Sequence, residues 1–216
     1  MLDLQGITED FIRTRLRKFA TETDPDVATV QAISDRDANH EEREKQVLIF
    51  LRYYKVIRYF QPANSREIAS RILEFADEPR PNALDQNKAA IISEHKKLEE
   101  RIQPFAPLTK AGEHRKVTSL ASKALWCCYP NDVPMFDNNA QRALQIFSRL
   151  CRIFPEPGQE EYGCFVDAWL QLYHKIEPVI DQADIKGFPY KIRVLDGILW
   201  YMGKPTFDLQ SNNMRE

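Results

Sequence analysis

Glycine is scarce in this chain, with only 7 glycines among 216 residues. A sheet-rich protein of this size normally needs more glycines in its turns, so the shortage favours helices. No apolar run approaches the roughly 20 residues of a membrane-spanning helix. The first residues, MLDLQGITEDF, lack the basic segment and apolar core of a signal peptide. These absences predict a helical cytoplasmic protein without a membrane partner.

Motifs of several familiar enzyme classes are also missing. The sequence contains no GxGxxG or P-loop pattern for a nucleotide and no GxSxG pattern for a serine nucleophile. No CxxC pair occurs, and no cysteine and histidine group has zinc-ligand spacing. We therefore expect no metal and no cofactor, and we expect four free, mostly buried thiols at Cys127, Cys128, Cys151 and Cys164.

The overall composition is that of a globular protein. Hydrophobic residues make up 43% and charged residues 29%, and the net charge is only −2, so no global basic field indicates a polyanionic partner. A chain of this length can bury a core without disulfides. We predict an all-α fold in one compact, monomeric domain over 1–205, with lobes 1–80 and 81–205 as an alternative division. A flexible tail is expected over 206–216.

Helix start signals recur along the chain. Thr8 and Asp24 each precede apolar residues at helical spacing, and Asp24 is followed by proline, which suits a first helical turn. Asn64 and Glu67 match a capping box, and Asn82 is expected to start the next helix. A dense apolar run over 43–59 predicts a central helix that ends before Pro62.

The strongest candidate for chemistry lies between Lys123 and Asp137. Lys123 is near the start of one predicted helix, and Asp137 starts the next. The positive end of a helix dipole disfavours a charged amine, and apolar neighbours such as Leu120, Leu125 and Trp126 act in the same direction. A neutral lysine amine is a nucleophile. We predict that Lys123 and Asp137 come close if their helices pack as a hairpin.

The segment from Thr118 to Leu144 resembles the helix-hairpin-helix DNA glycosylase superfamily, in particular its 8-oxoguanine DNA glycosylase-like fold. In that family a hairpin places a catalytic lysine at the start of a helix, and a VP-x-D element carries an aspartate that begins the next. The segment 119–123 stands where the hairpin and lysine would be. Val133 to Asp137 stands where the proline and aspartate would be.

This resemblance implies a base-excision reaction on double-stranded DNA that carries a modified or damaged base. Lys123 would attack the sugar C1′ of a flipped-out nucleotide, expel the base and form a Schiff base that permits strand cleavage. Asp137 would be its electrostatic and proton-transfer partner. The role could lie in repair or in defence against modified foreign DNA, and the sequence leaves both open.

Further residues are candidates for contacts with this DNA. Basic or hydroxyl side chains near the two helix starts could contact phosphates: Lys110, Arg115, Lys116, Ser119 and Arg142. Aromatic side chains nearby could stack on the everted base, although each could equally be a core residue: Trp126, Tyr129 and Phe136.

The alternative function is a catalytically inactive helical module that binds nucleic acid or protein. The acidic pI of about 6.1 favours it, as do Ser119 and Ala121, which stand where the family's hairpin carries glycines. In this interpretation Asp137 is a helix cap for the amides of Asn139 or Ala140, and Lys123 faces solvent or forms a structural ion pair.

Overall fold

The all-α prediction is confirmed over the part of the chain that the structure describes. This computed structural model describes Thr14 and residues 24–151, 161–182 and 189–204. Within these ranges the backbone forms eight α-helices and one 3₁₀-helix, and it contains no β-strand. The predicted helix after Thr8 and the predicted tail over 206–216 lie outside the described residues.

Backbone contacts divide the chain into two units. The first unit is Thr23–Met135, and the described residues from Phe136 onward belong to the second unit. Pro81 lies inside the first unit, and the prediction of a single domain over 1–205 stays a prediction.

The first unit contains five α-helices and the 3₁₀-helix. In chain order they are α1 (Asp24–Ser34), α2 (His40–Tyr53), α3 (Pro62–Asp77), α4 (Lys88–Ile102), the 3₁₀-helix (Gln103–Phe105) and α5 (Thr118–Cys128). Their inner faces carry fully buried apolar side chains at helical spacing, as Ile68 and Ile72 do on α3 and Ile91 and Leu98 do on α4. Each such side chain contributes roughly 1.5–3 kcal/mol by leaving water.

A buried arginine joins three helices of the first unit. Arg43 on α2 donates through Nε to the Ala32 carbonyl at 2.9 Å and through Nη2 to the Ile33 carbonyl at 3.2 Å. It also forms a two-pronged bond with the Asp77 carboxylate at the end of α3, at 3.0 and 2.7 Å. The guanidinium therefore satisfies carbonyls near the end of α1 while it neutralises a carboxylate from α3.

The prediction that α2 continues to Tyr59 is wrong, because the helix ends at Tyr53. Lys55 adopts a left-handed conformation with φ 57°, and its amide donates to the Arg52 carbonyl. The next amide, of Val56, reaches back to the Leu51 carbonyl at 3.1 Å. This pair of bonds is the Schellman arrangement that closes a helix.

Lys55→Gly is expected to stabilise the protein by up to about 1 kcal/mol. A left-handed conformation costs an L-residue roughly 1–2 kcal/mol, which glycine avoids, while glycine's greater freedom in the unfolded chain offsets part of that gain. Urea unfolding should show a higher midpoint with an unchanged slope. Lys45→Gly, inside α2, should lower the midpoint instead, and a lower midpoint for Lys55→Gly would contradict this interpretation.

Two predicted helix starts are also corrected by the structure. Pro62 is itself the first residue of α3, and no side chain caps that helix, so the predicted capping box of Asn64 does not form. The Asn64 amide donates to the Phe105 carbonyl instead, at 3.1 Å. Helix α4 starts after Asn87, whose side chain accepts from the Ala90 amide, rather than near Asn82.

A buried aspartate fastens the turn that precedes α4. Asp132, after α5, accepts from the backbone amides of Leu84 and Gln86 at 3.0 and 3.2 Å. Asp85 and Gln86 both have positive φ angles, of 51° and 53°. Asp132 therefore offsets strain in this turn with two charge-assisted hydrogen bonds.

The second unit contains α6 (Asn138–Cys151), α7 (Glu161–Gln182) and α8 (Lys191–Met202). Helix α8 is buried along most of its circumference, and its Asp196 accepts a hydrogen bond from the indole nitrogen of Trp169 on α7 at 2.9 Å. Across the described residues, no helix is both long and apolar enough to cross a membrane.

Candidate active-site residues

Lys123 is the sixth of the 11 residues of α5, so the prediction that it lies near the start of its helix is wrong. It is almost fully buried, with 3% of its surface exposed. Its Nζ donates to the hydroxyl of Ser119, one helical turn earlier, at 2.9 Å. Leu120 and Trp126 lie three residues away on the same helix, and both are buried. The alternative in which Lys123 faces solvent is therefore wrong.

The start of α5 is held against α4 by a polar cluster that the sequence did not reveal. Thr118 donates through its hydroxyl to Glu99 at 2.7 Å, and the Nε2 of buried His95 donates to the Thr118 carbonyl at 3.2 Å. His95 and Glu99 are four residues apart on α4, and Nδ1 lies 3.9 Å from the carboxylate. These contacts fix the turn of α5 that carries Ser119.

Asp137 belongs to the second unit and caps α6. Its Oδ1 accepts from the backbone amides of Asn139 and Ala140, both at 2.9 Å. The predicted helix cap is therefore confirmed. Lys123 belongs to the first unit, and its pairing with Asp137 stays a prediction.

The capped start of α6 meets the end of α8 inside the second unit. Arg142 donates through Nη1 to the Gly203 carbonyl at 3.0 Å. A Cβ atom on Gly203 would lie only 1.7 Å from the backbone oxygen of Asn139. Glycine is therefore required for this close approach, which occurs two residues from Asp137.

Gly203→Ala is expected to destabilise the second unit by about 3 kcal/mol, because the added methyl group can be accommodated only by moving backbone. Thermal unfolding monitored by circular dichroism measures the loss. Gly112→Ala provides a comparison, because no atom lies within 4 Å of its added Cβ and only its φ of +82° opposes the change. A Gly203→Ala protein as stable as the wild type would contradict the close approach of Gly203 to the Asn139 backbone.

The three candidates for base stacking are all buried, at no more than 5% exposure. The Trp126 ring lies parallel to Phe50 with centroids 6.2 Å apart, and Phe136 meets Phe165 edge-on at 5.0 Å. The Arg80 guanidinium lies 5.0 Å from the Tyr129 ring, and burial raises the pKa of Tyr129 to about 12. Stacking on an everted base would require these residues to open, and it stays a prediction.

The candidates for phosphate contacts differ in their surroundings. Lys110, Arg115 and Lys116 are exposed on the loop between the 3₁₀-helix and α5. Ser119 is partly buried and already bonded to Lys123. Exposed Arg142 uses one of its nitrogens on the Gly203 carbonyl.

The cysteines that the structure describes are thiols rather than members of disulfides, as predicted. Cys127 is buried, whereas Cys128 and Cys164 are partly buried. Burial raises the pKa of the Cys128 thiol, with the nearby Arg80 acting in the opposite direction. The side chain of Cys151 lies outside the described residues. Where side chains are described, no three histidine, cysteine or acidic residues are grouped as metal ligands would be.

Comparisons of the chain with protein-family models, with curated protein sequences and with solved structures found no match. Any function assigned to the protein therefore rests on its own residues.

Proposed function

We propose that the protein is a DNA glycosylase with abasic-site lyase activity and that Lys123 is its nucleophile. The observation that supports this most directly is the burial of Lys123, which is 3% exposed inside a largely apolar helix. Removing an ammonium group from water is costly, so burial of a lysine favours its neutral amine, which is a nucleophile.

The proposed reaction begins when the Lys123 amine attacks C1′ of the target nucleotide. The bond between C1′ and the base nitrogen breaks, the base leaves with the bonding electrons and takes up a proton, and the amine gives up its own. Ring opening then gives an imine between Nζ and C1′. Loss of the 3′ phosphate by β-elimination cleaves the strand, and water releases the enzyme.

Ser119 would orient the nucleophile. Its hydroxyl accepts a hydrogen bond from Nζ at 2.9 Å, which holds the lysine side chain along the helix. Because Ser119 occupies the preceding turn of the same helix, this orientation is independent of tertiary rearrangement.

The proposed role of Asp137 is electrostatic stabilisation and proton transfer, as the resemblance implies. Asp137→Asn separates this role from helix capping, because asparagine is an equally good cap but carries no charge. The proposal expects slower base release with unchanged stability. If base release is unchanged, Asp137 is only the cap of α6.

Borohydride trapping tests the proposal as a whole. The protein is incubated with duplexes that carry 8-oxoguanine, other altered bases or an abasic site, and borohydride is added to reduce any imine. A covalent protein–DNA adduct with at least one duplex is expected, together with release of the free base from a modified duplex. If no duplex gives an adduct and none releases a base, the results would favour the catalytically inactive binding module.

A further inference from the structure

An exposed segment of the first unit is rich in cations and aromatic rings. Residues 52–60, RYYKVIRYF, contain three basic residues, four aromatic residues and no acid. Arg52, Lys55 and Arg58 are all exposed. Two of the rings also face solvent, since Tyr53 is 50% and Tyr59 is 63% exposed. Exposed rings beside exposed cations are a combination found on surfaces that bind nucleic acid.

A second basic segment, residues 108–116, lies beside the first. The guanidinium of Arg115 lies 5.5 Å from the centre of the Tyr59 ring, and that of Arg58 lies 4.6 Å from it. A guanidinium stacked on a ring keeps its in-plane N–H groups free for phosphate. We call the exposed residues of 52–59 and 108–116 the basic-aromatic surface.

The loop that carries Arg115 has a defined conformation. The Thr109 amide donates to the Glu113 carbonyl at 2.7 Å, and Gly112 makes the reversal with φ +82°. The Arg115 amide donates to the Pro107 carbonyl at 2.9 Å, and the Arg115 carbonyl accepts from the Gln103 side chain at 2.8 Å. The loop is therefore organised to hold Arg115 beside Tyr59.

The surface carries six lysines and arginines and one acidic residue, Glu113. Elsewhere in the first unit, Arg71 pairs with Glu67 and Glu74, and Arg101 pairs with Glu78. Among the described residues, no ion pair involves any of the six lysines and arginines of the basic-aromatic surface: Arg52, Lys55, Arg58, Lys110, Arg115 and Lys116. Grouping unpaired positive charges in a protein of net charge −2 suits an anionic ligand.

A hollow of about 260 Å³ borders the surface. Its lining residues are Arg52, Ile57, Arg58, Phe60, Pro62 and Ser65. Apolar side chains together with two arginines suit a planar base joined to a phosphate. Duplex DNA hides its base faces by stacking, so the hollow and the exposed Tyr59 ring fit unpaired bases better.

We propose that the basic-aromatic surface binds single-stranded nucleic acid. The six cations contact the phosphates, and Tyr59 provides a stacking platform beside the hollow. Such a combination of a positive surface with exposed rings binds single strands with little sequence preference. This inference does not rest on the chemistry proposed for Lys123.

Fluorescence anisotropy with labelled oligonucleotides tests the surface. Oligo-dT and oligo-U carry the same backbone charge and unpaired bases, so these two arms distinguish DNA from RNA as the source of the strand. Duplex DNA and anionic phosphatidylserine vesicles are the competing ligands. Either oligonucleotide is expected to bind more tightly than duplex, whereas tighter binding of duplex, or binding of vesicles alone, would overturn the proposal.

Variants then locate the binding on the protein. Tyr59→Ala should weaken oligonucleotide binding by roughly tenfold or more, because one stacked base is lost. Arg58→Gln combined with Arg115→Gln should lower the slope of log affinity against log salt by about 1.4, since each phosphate contact contributes about 0.7. Wild-type affinity and salt slope in all of these variants would overturn the assignment to this surface.

Two control variants show whether the loss of oligonucleotide binding depends on the position of the removed charges and whether it is independent of Lys123. Lys96→Gln combined with Lys97→Gln removes the same charge from exposed positions of α4 and should leave binding unchanged. Lys123→Gln should also bind oligonucleotides as the wild type does. A wild-type protein that binds oligonucleotides but forms no borohydride adduct would contradict the glycosylase proposal alone. A wild-type protein that forms the adduct but does not bind oligonucleotides would contradict the proposed surface alone.

Discussion

Lys123→Gln is expected to form no borohydride adduct with abasic DNA and to release a modified base at least about a thousandfold more slowly than the wild type. Glutamine is one atom shorter than lysine and keeps an N–H donor, but it has no nucleophilic amine. The loss should therefore fall on the rate of the chemical step rather than on substrate affinity. Single-turnover base release at saturating enzyme measures this rate directly.

A matched control uses another lysine. Lys96 is exposed on α4, outside the candidate site, and Lys96→Gln is expected to keep full trapping and full base release. Circular dichroism of Lys123→Gln shows whether the helices persist, so that lost activity is not confused with unfolding. A folded Lys123→Gln protein that is trapped as efficiently as the wild type would disprove the nucleophilic role.

Arg43→Ala is expected to lower the free energy of unfolding by about 2–3 kcal/mol, because it removes the hydrogen bonds of a buried guanidinium, while the Asp77 side chain, 36% exposed, can regain water. The change removes two bonds to carbonyls near the end of α1 and both bonds to Asp77. Urea unfolding measures the loss. Arg66→Ala, at an exposed position of α3, should change stability by no more than about 0.5 kcal/mol. A similarly small loss for Arg43→Ala would contradict a stabilising role for the hydrogen bonds of Arg43.

The Arg43–Asp77 pair also makes the free energy of unfolding depend on pH, with a loss of stability at low pH. The hydrogen bond from Arg43 lowers the pKa of Asp77 below its ordinary value. A lowered folded-state pKa contributes stability that is fully present above the unfolded-state value, about 3.9, and is lost as pH falls through the folded-state pKa. The urea midpoint of the wild type should therefore fall below about pH 4, and Arg43→Ala should show a smaller acid dependence.

Local features of the fold were predictable from the sequence. Few glycines and apolar residues at helical spacing are properties of short segments, and the inner face of α3 with Ile68, Ile72 and Leu73 follows from them. The start of α6 was also predictable, because an aspartate at an N-cap bonds to amides in the first turn of its own helix. Asp137 does so with Asn139 and Ala140.

Features that depend on distant residues were not predictable from the sequence. Periodicity could not show that Lys55 would adopt a left-handed conformation and end α2, since Val56 and Ile57 continue an apolar run beyond it. Arg43 and Asp77 are 34 residues apart, and no local pattern announces their pairing.

The candidate site shows the same limit. The sequence identified Lys123 but not its burial, which depends on tertiary packing. Aromatic residues near it were candidates for base stacking, yet the two most exposed rings of the first unit, Tyr53 and Tyr59, belong to a different segment. Arg115 was a candidate for phosphate contact, but only the fold reveals that it stacks on Tyr59.

The identity of the residue that carries the reduced sugar after trapping tests the proposed mechanism most directly. The adduct formed with an abasic duplex is digested with a protease, and the modified peptide is sequenced by mass spectrometry. The expected result is modification of Lys123, with exposed Lys110 and Lys116 unmodified. An adduct on one of those lysines or on another amine, with Lys123 unmodified, would contradict the assignment of Lys123 as the nucleophile.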